Sequence, residues 1–133
     1  MGNFNWVHAR SECSLESVFR VLAEIVDSDV KTANALNRRG VKFKLNTEAT
    51  GKIIVLRERD LGGFNESMAI VFELLPDKIA VTERRGPGFT EGALFCAAPG
   101  LNQEGECLLE IDGQPLKLWQ VSRKALENLF FGF

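Results

Sequence analysis

The sequence predicts an α+β protein: an antiparallel sheet of six to seven strands, with two N-terminal helices and one short C-terminal helix packed on one face. Residues 41–85 alternate between apolar and polar side chains, which is typical of half-buried strands. Apolar residues recur at helical spacing over residues 15–26 and again over 125–133. With 133 residues the chain is long enough for one hydrophobic core, so a single domain over 1–133 is expected.

The composition excludes several classes of protein. Apolar residues make up 45% and charged residues 26%, values that are ordinary for a globular protein. The formal net charge of −2 argues against a nucleic-acid binder, which needs a concentrated basic surface. No apolar run approaches the length of a membrane span, so membrane insertion is not expected. Cys13, Cys96 and Cys107 are too few and too scattered for a disulfide framework, which indicates a reducing compartment and a cytoplasmic location.

The N-terminal third is predicted to form one strand and two helices. Residues 3–11 alternate in polarity and predict a first strand. Ser14 is a suitable N-cap for the helix that follows. Asp27-Ser28-Asp29 predicts a break and a new cap, so that a second helix covers 30–39 and stops at Gly40.

The turn Leu75-Pro76-Asp77-Lys78 sets the register of two central strands. Proline presets the backbone of a tight turn, and aspartate favours its next position. A two-residue loop opposes Leu74 to Ile79, Phe72 to Val81, Ile70 to Glu83 and Met68 to Arg85. Because a strand alternates faces with period two, the Met68 and Phe72 face is predicted to be buried.

The preceding strand is placed by a predicted five-residue connection, 61–65. That loop length opposes Asp60 to Glu66, Glu58 to Met68, Leu56 to Ile70 and Ile54 to Phe72. Residues 41–48 then fold back to set Leu45 beside Leu56. All four strands share one apolar face in this register, and such agreement between neighbours favours it.

The C-terminal third combines a glycine-rich connection, a hairpin and a helix. Residues 86–105 predict a long surface connection, with a mobile lid as the alternative and 92–98 as its only strand. Strands at 106–111 and 115–119 are joined by Asp112-Gly113, a strong hairpin signal. Ser122 is expected to cap the last helix.

The register predicts a polar cluster on the buried face at one end of the sheet. Carboxylates crowded beside an arginine on a partly buried face are typical of functional sites. The predicted ligand-binding residues, including two apolar neighbours, are Glu58, Asp60, Glu83, Arg85, Met68 and Phe72. The alternative is that the helices leave this end in water, or that a bulge near Gly62 or Gly86 turns the charges outward.

No catalytic, metal or cofactor motif accompanies the cluster. A single histidine and unpaired cysteines leave no ligand set for zinc or copper, and no phosphate-binding glycine motif occurs. A hard cation held by Glu58, Asp60 and Glu83 is conceivable but has no loop signature. We therefore expect no cofactor and no catalytic residue, although an enzyme using the carboxylates as acid and base stays open.

The predicted order is strand, two helices, six or seven mostly antiparallel strands and a final helix. This order resembles the helix-grip fold of START-like domains. The resemblance implies a curved sheet that wraps the C-terminal helix around an apolar cavity, a site for a small molecule.

Two functions from different classes follow. The first is a small soluble binding domain that holds an apolar or amphipathic ligand between the curved sheet and its helices, with Arg85 and nearby carboxylates orienting a polar group. The alternative is a protein-interaction module or homo-oligomer that uses the exposed parts of 118–119 and 130–133. An enclosed cavity would favour the first function, and a solid core would remove it.

Overall fold

The computed structural model describes residues 3–36, 38–47, 50–63, 65–86 and 90–132. In these ranges the chain forms three helices and seven strands, which confirms the predicted α+β class. The helices are α1 (Trp6–Glu12), α2 (Leu15–Ala35) and α3 (Leu118–Phe131). The strands are β1 (Val41–Asn46), β2 (Lys52–Asp60), β3 (Asn65–Leu74), β4 (Ile79–Arg85), β5 (Thr90–Leu101), β6 (Cys107–Ile111) and β7 (Gln114–Leu116).

The predicted first strand is wrong, because those residues form α1. The Asn5 side chain accepts a 3.0 Å hydrogen bond from the backbone N–H of His8 and caps the helix. No residue of α1 is buried, so the alternation in its sequence carries no information about packing.

The two cysteines expected to be unpaired at either end of the chain form a disulfide. Cys13 follows α1 and is bonded to Cys107 at the start of β6, 94 residues away in sequence. The expectation of three unpaired cysteines is therefore wrong. Sequence spacing could not show this pairing, because it depends on the sheet bringing β6 beside the junction of α1 and α2.

α2 begins where predicted and continues through the predicted break. The Ser14 hydroxyl accepts a hydrogen bond from the Ser17 N–H, as expected for an N-cap. The helix then runs unbroken past Asp27–Asp29, because Val26, Val30 and Ala33 extend its buried stripe across that point. The predicted second helix is the last part of α2, which ends at Ala35.

The strands lie in the sheet in chain order, each antiparallel to the next, and the sheet is curled into a half-barrel. β5 joins its two parts: Thr90–Ala97 pairs with β4 and Ala98–Leu101 pairs with β6. The ladder between β4 and β5 contains a bulge at Leu94, which is skipped between the partners of Val81 and Thr82. The predicted surface connection over 86–105 is wrong, because most of these residues form β5, which is longer than the strand predicted at 92–98. The alternative, a lid, falls on the same strand and on residues 87–89, which lie outside the described residues.

The hairpin of β6 and β7 is confirmed. Asp112 and Gly113 both have positive φ angles, 52° and 79°, as a two-residue hairpin turn of the favoured hand requires. The last helix starts earlier than predicted: Lys117 is the N-cap of α3, and its backbone N–H donates to the Gln120 side chain at 2.8 Å. Ser122 is therefore not the cap but a buried residue of the helix.

α2 and α3 pack on one face of the sheet and fill the space beneath it. Phe72 of β3 and Leu22 of α2 have no exposed surface, and ten further large side chains are buried to the same degree. One core cluster includes residues of both helices and of β1 to β6. The centre of the helix–sheet interface is a packed core.

Candidate functional site

The structure confirms the predicted pairing of β3 with β4. Met68 lies opposite Arg85, Ile70 opposite Glu83 and Phe72 opposite Val81. Met68, Phe72, Glu83 and Arg85 therefore share the helix-side face of the sheet. Phe72 lies in the centre of the core, whereas Arg85 is exposed and pairs with Glu83 at the end of the sheet.

The predicted pairing of β2 with β3 is wrong by one residue. Asp60 lies opposite Asn65, so the connection is one residue shorter than predicted. A shift of one residue moves every side chain of a strand to the other face. Arg57 consequently lies on the helix-side face, whereas Glu58 and Asp60 lie on the outer face.

The predicted cluster of carboxylates does not form. Glu58 makes a 2.7 Å ion pair with Lys44 across the outer face. The Asp60 carboxylate accepts a 3.0 Å hydrogen bond from the Gly62 N–H in the adjacent loop. Glu83 lies on the opposite face, and among the described residues no group of three histidine, cysteine or acidic side chains could hold a metal ion.

The charge beneath the helices is instead the guanidinium of Arg57. Its side chain is only 5% exposed and donates a 3.0 Å hydrogen bond to the carbonyl oxygen of Leu129 in α3. It also donates to the Glu66 carboxylate at 2.6 Å. The last carbonyls of a helix have no partner within the helix, so this contact satisfies one of them.

A second arginine makes the same kind of contact one residue further along α3. Arg38, which follows α2, donates to the carbonyl oxygen of Phe130. Its guanidinium also lies 4.9 Å from the centre of the Phe131 ring, within the range of a cation–π contact. Arg38 and Arg57 thus place two positive charges at the negative end of the α3 dipole.

Glu66 connects the two arginines of β2. Its carboxylate contacts Arg57 at 2.6 Å and Arg59 at 2.7 Å. The hydrogen bond from Arg57 is the largest of the influences that hold the pKa of Glu66 below its ordinary value. This carboxylate is therefore held in its ionised form beside the end of α3.

Beyond the end of α3 the helix-side face carries an open pocket of about 500 Å³, the sheet-end pocket. Its lining combines the apolar side chain of Met68 with three charged side chains. It is lined by Arg57, Asn65, Glu66, Ser67, Met68, Arg85 and Gly86. Of the six predicted site residues, the structure places Met68 and Arg85 in this pocket.

A second surface, the helix groove, lies between α2 and α3. Its volume is about 350 Å³, and its apolar lining is Ala33, Leu36, Trp119, Leu126, Phe130 and Phe131. Ser122 is buried at its base and donates a 2.6 Å hydrogen bond to Asp29, which links the two helices. The exposed fractions of Trp119 and Phe131 are 54% and 60%, which is high for aromatic side chains.

The outer face of the sheet carries a wider groove of about 940 Å³, with Ile54, Leu56 and Ala69 along its floor. Lys44 and Arg84 stand at its sides, where Lys44 pairs with Glu58 and Arg84 pairs with Glu91. Both cations of this groove are thus held in cross-strand ion pairs.

Comparison with known proteins gives no family for this chain. It has no significant match among protein-family models, curated proteins or solved structures. Within the described ranges, no helix combines the length and apolar character needed to cross a membrane. Any statement of function therefore depends on the geometry of the chain itself.

Proposed function

We propose that this domain binds an apolar or amphipathic small molecule in the sheet-end pocket. The carrying observation is that Met68, an apolar side chain at the edge of the core, and Arg85, a charged one, line the same open pocket. Pockets of this size with an apolar wall and a few polar groups are typical of small-molecule sites.

Each part of the pocket has a distinct role in the proposal. Met68 contacts the apolar part of the ligand, and its flexible thioether adapts to the ligand's shape. Arg85, held by Glu83, orients the polar group. Phe72 lies in the core and does not line the pocket, and Glu58 and Asp60 face the other side of the sheet, so these three residues take no part.

The proposed ligand lies at the end of the helix–sheet interface rather than in its centre. The centre is filled by Phe72, Leu22 and their neighbours, and this solid core removes the expected cavity between the sheet and the helices. The proposal is therefore restricted to the open pocket at the end of the sheet. Of the resemblance to the helix-grip fold, this proposal uses only the curved sheet with helices on one face. The proposed pocket is open to solvent.

The methionine composition allows a direct test. The chain has two methionines, so labelling with 13C-methyl methionine gives a simple spectrum in which Met68→Leu identifies the Met68 signal. We expect dodecanoate, added below its micelle concentration, to shift the Met68 signal. An unchanged Met68 signal at millimolar dodecanoate, together with no small-molecule adduct in native mass spectrometry, would overturn the proposal.

Adjacent arginines provide the matched control. Arg84 and Arg85 are neighbours on opposite faces of β4, and Arg84 pairs with Glu91 on the outer face. We expect Arg85→Ala to weaken dodecanoate binding about tenfold, the loss of one charge-assisted contact. Arg84→Ala should leave it unchanged, and equal effects of the two would place the ligand elsewhere.

A second candidate function is protein interaction, and the exposed Trp119 and Phe131 favour it. Aromatic side chains around a groove are the usual anchors of protein interfaces. Phe133, part of the predicted interaction segment, lies outside the described residues. Dodecanoate binding would not support this second function. Protection of Trp119 from solvent on addition of a partner protein would support it.

The cellular location expected from the cysteines loses its basis. Persistent disulfides form in oxidising compartments, and the bond between Cys13 and Cys107 is of the kind found there. For this reason we do not propose that the protein is located in the cytoplasm.

A further inference from the structure

α1 presents an apolar surface that the rest of the chain does not cover. It has seven residues, none of them buried, and its Trp6 and Val7 side chains are 64% and 59% exposed. An isolated helix of this length is not stable in water, because nucleation costs more than a few hydrogen bonds return. The helix needs a surface on which to bury Trp6.

The helix groove offers such a surface. Leu36, the C-cap of α2, and both Trp119 and Phe131 on α3 expose more than half of their surface around it. A helix lying in an apolar groove formed by two other helices is a common mode of recognition. The chain therefore contains both an exposed apolar helix, α1, and an apolar groove that could receive such a helix.

α1 cannot reach the groove of its own chain. The groove meets α2 at residues 29–36, which lie 14 to 21 residues after Leu15, or about 21 to 32 Å along the helix. Trp6 precedes Cys13 by seven residues, or about 10 Å of helix, and the disulfide holds Cys13 against β6. Only the α1 of another molecule can enter the groove.

We propose that the protein forms a symmetric homodimer in which α1 of each copy docks into the helix groove of the other. Trp6 and Val7 pack against Leu36, Trp119 and Phe131 of the second copy. Each copy gives one helix and receives one, and we place the two contacts about one two-fold axis, which makes the interface isologous and closes it at two molecules. Head-to-tail repetition of the same contact would instead give larger species in sedimentation, and that result would overturn the proposal.

The area available is consistent with a stable dimer. An aromatic side chain buries roughly 150–250 Å² in full, so the exposed parts of Trp6, Trp119, Phe131, Val7 and Leu36 amount to about 500 Å² per copy. Mutual burial removes about 1,000 Å² over the dimer, which is the lower bound for a specific interface. We therefore expect a dimer that dissociates at low concentration.

Sedimentation velocity across the micromolar to millimolar range tests the proposal. The full chain with its disulfide intact should change from monomer to dimer with rising concentration. Trp6→Glu and Leu36→Glu should each raise the dimer Kd at least about 30-fold, as expected for an anchor residue. Val21→Glu, at an exposed apolar position on the first half of α2, is the matched control and should leave the Kd unchanged.

A mixing experiment identifies the two surfaces as partners. Trp6→Glu keeps an intact groove and Leu36→Glu keeps an intact α1, so a mixture should associate through one remaining contact, more weakly than the wild type but more tightly than either variant alone. A wild-type monomer at millimolar concentration would overturn the proposal. So would a dimer that survives Trp6→Glu, or a folded pair of variants, verified by circular dichroism, that fails to associate. None of these results bears on dodecanoate binding.

Discussion

The guanidinium of Arg57 donates a 3.0 Å hydrogen bond to the carbonyl oxygen of Leu129, and so connects β2 to the end of α3. The two residues are 72 positions apart in sequence. The contact places a buried positive charge at the negative end of a helix dipole, and Glu66 balances that charge from the other side. Arg57 is thus a structural residue at the boundary of the sheet-end pocket.

Arg57→Met should strongly destabilise the fold. The change leaves the Leu129 carbonyl without its donor and the Glu66 carboxylate without its closest cation, which costs about 3 kcal/mol in the free energy of unfolding. Arg57→Lys should lower the free energy of unfolding by less, because lysine keeps the positive charge although it lacks the forked geometry of the guanidinium. Urea unfolding followed by circular dichroism measures both. Arg84→Met, on the outer face, should cost under about 1 kcal/mol, and an equal loss from both arginines would contradict the assigned role of Arg57.

Glu66 should make the protein less stable in acid. Its pKa in the folded state lies below its ordinary value of 4.5, so it stabilises the fold fully above pH 4.5 and loses this effect as the pH falls through the folded pKa. Glu66→Gln should therefore lower stability at neutral pH and flatten its decline below pH 4.5. The measurement is urea unfolding at a series of pH values. Glu24→Gln, an exposed change on α2, is the control, and an unchanged acid decline in Glu66→Gln would refute the prediction.

Removing the Ser122 hydroxyl should loosen the contact between α2 and α3. Ser122 is buried and its hydrogen bond to Asp29 is short, so Ser122→Ala should cost about 1–2 kcal/mol in the free energy of unfolding. Thr32→Ala removes a hydroxyl that bonds only within α2, to the Ser28 carbonyl, and should change stability by less than about 0.5 kcal/mol. Thermal unfolding of both variants distinguishes them, and a neutral Ser122→Ala would show that the bond contributes nothing.

The disulfide should be measurable by thiol chemistry and by stability. Unreduced protein should react with one equivalent of a thiol reagent, at the exposed Cys96, and with three after reduction and unfolding. Replacing both Cys13 and Cys107 by serine should cost about 4 kcal/mol in the free energy of unfolding, because the bond joins residues 94 positions apart and so closes a long loop. Cys96→Ser should have little effect on stability. Three reactive thiols in the native unreduced protein would rule out the bond.

The pairing of β3 with β4 could be predicted from sequence because local chemistry specifies it. Pro76 and Asp77 fix a two-residue loop, and the Leu75 N–H donates to the Lys78 carbonyl at 2.8 Å to close it. With the loop length fixed, each residue of one strand has one possible partner in the other. Met68 opposite Arg85 follows directly.

The face of β2 could not be predicted in the same way, because its sequence is apolar on both faces. Ile53 and Val55 alternate with Ile54 and Leu56, so a shift of one residue still buries two large aliphatic side chains. The end of α3 selects between the registers, because its free carbonyls attract a cation and repel a carboxylate. The sequence could therefore indicate that Arg57, and not Glu58, lies on the helix-side face, but only if the position of the end of α3 were already known.

The N-terminal region was mispredicted because its determinants lie far away in the chain. No residue of α1 is buried, so neither a helical nor a strand period reports on a core. The partner of Cys13 is 94 residues away and is brought near by the curl of the sheet. Pairings of this kind follow from tertiary structure, which local patterns do not encode.

The extra residue at Leu94 has a consequence for how this chain can assemble. β6 pairs with β5 at Ala98–Leu101, so the segment Thr90–Ala97 has a side that β6 does not cover. Such a side would, if the segment were straight, be a template for pairing with a strand of another molecule. The bulge interrupts the even spacing of amide groups that such pairing requires. Addition of a further strand at this segment is thereby disfavoured, so contacts between copies are expected at the helices and not along β5.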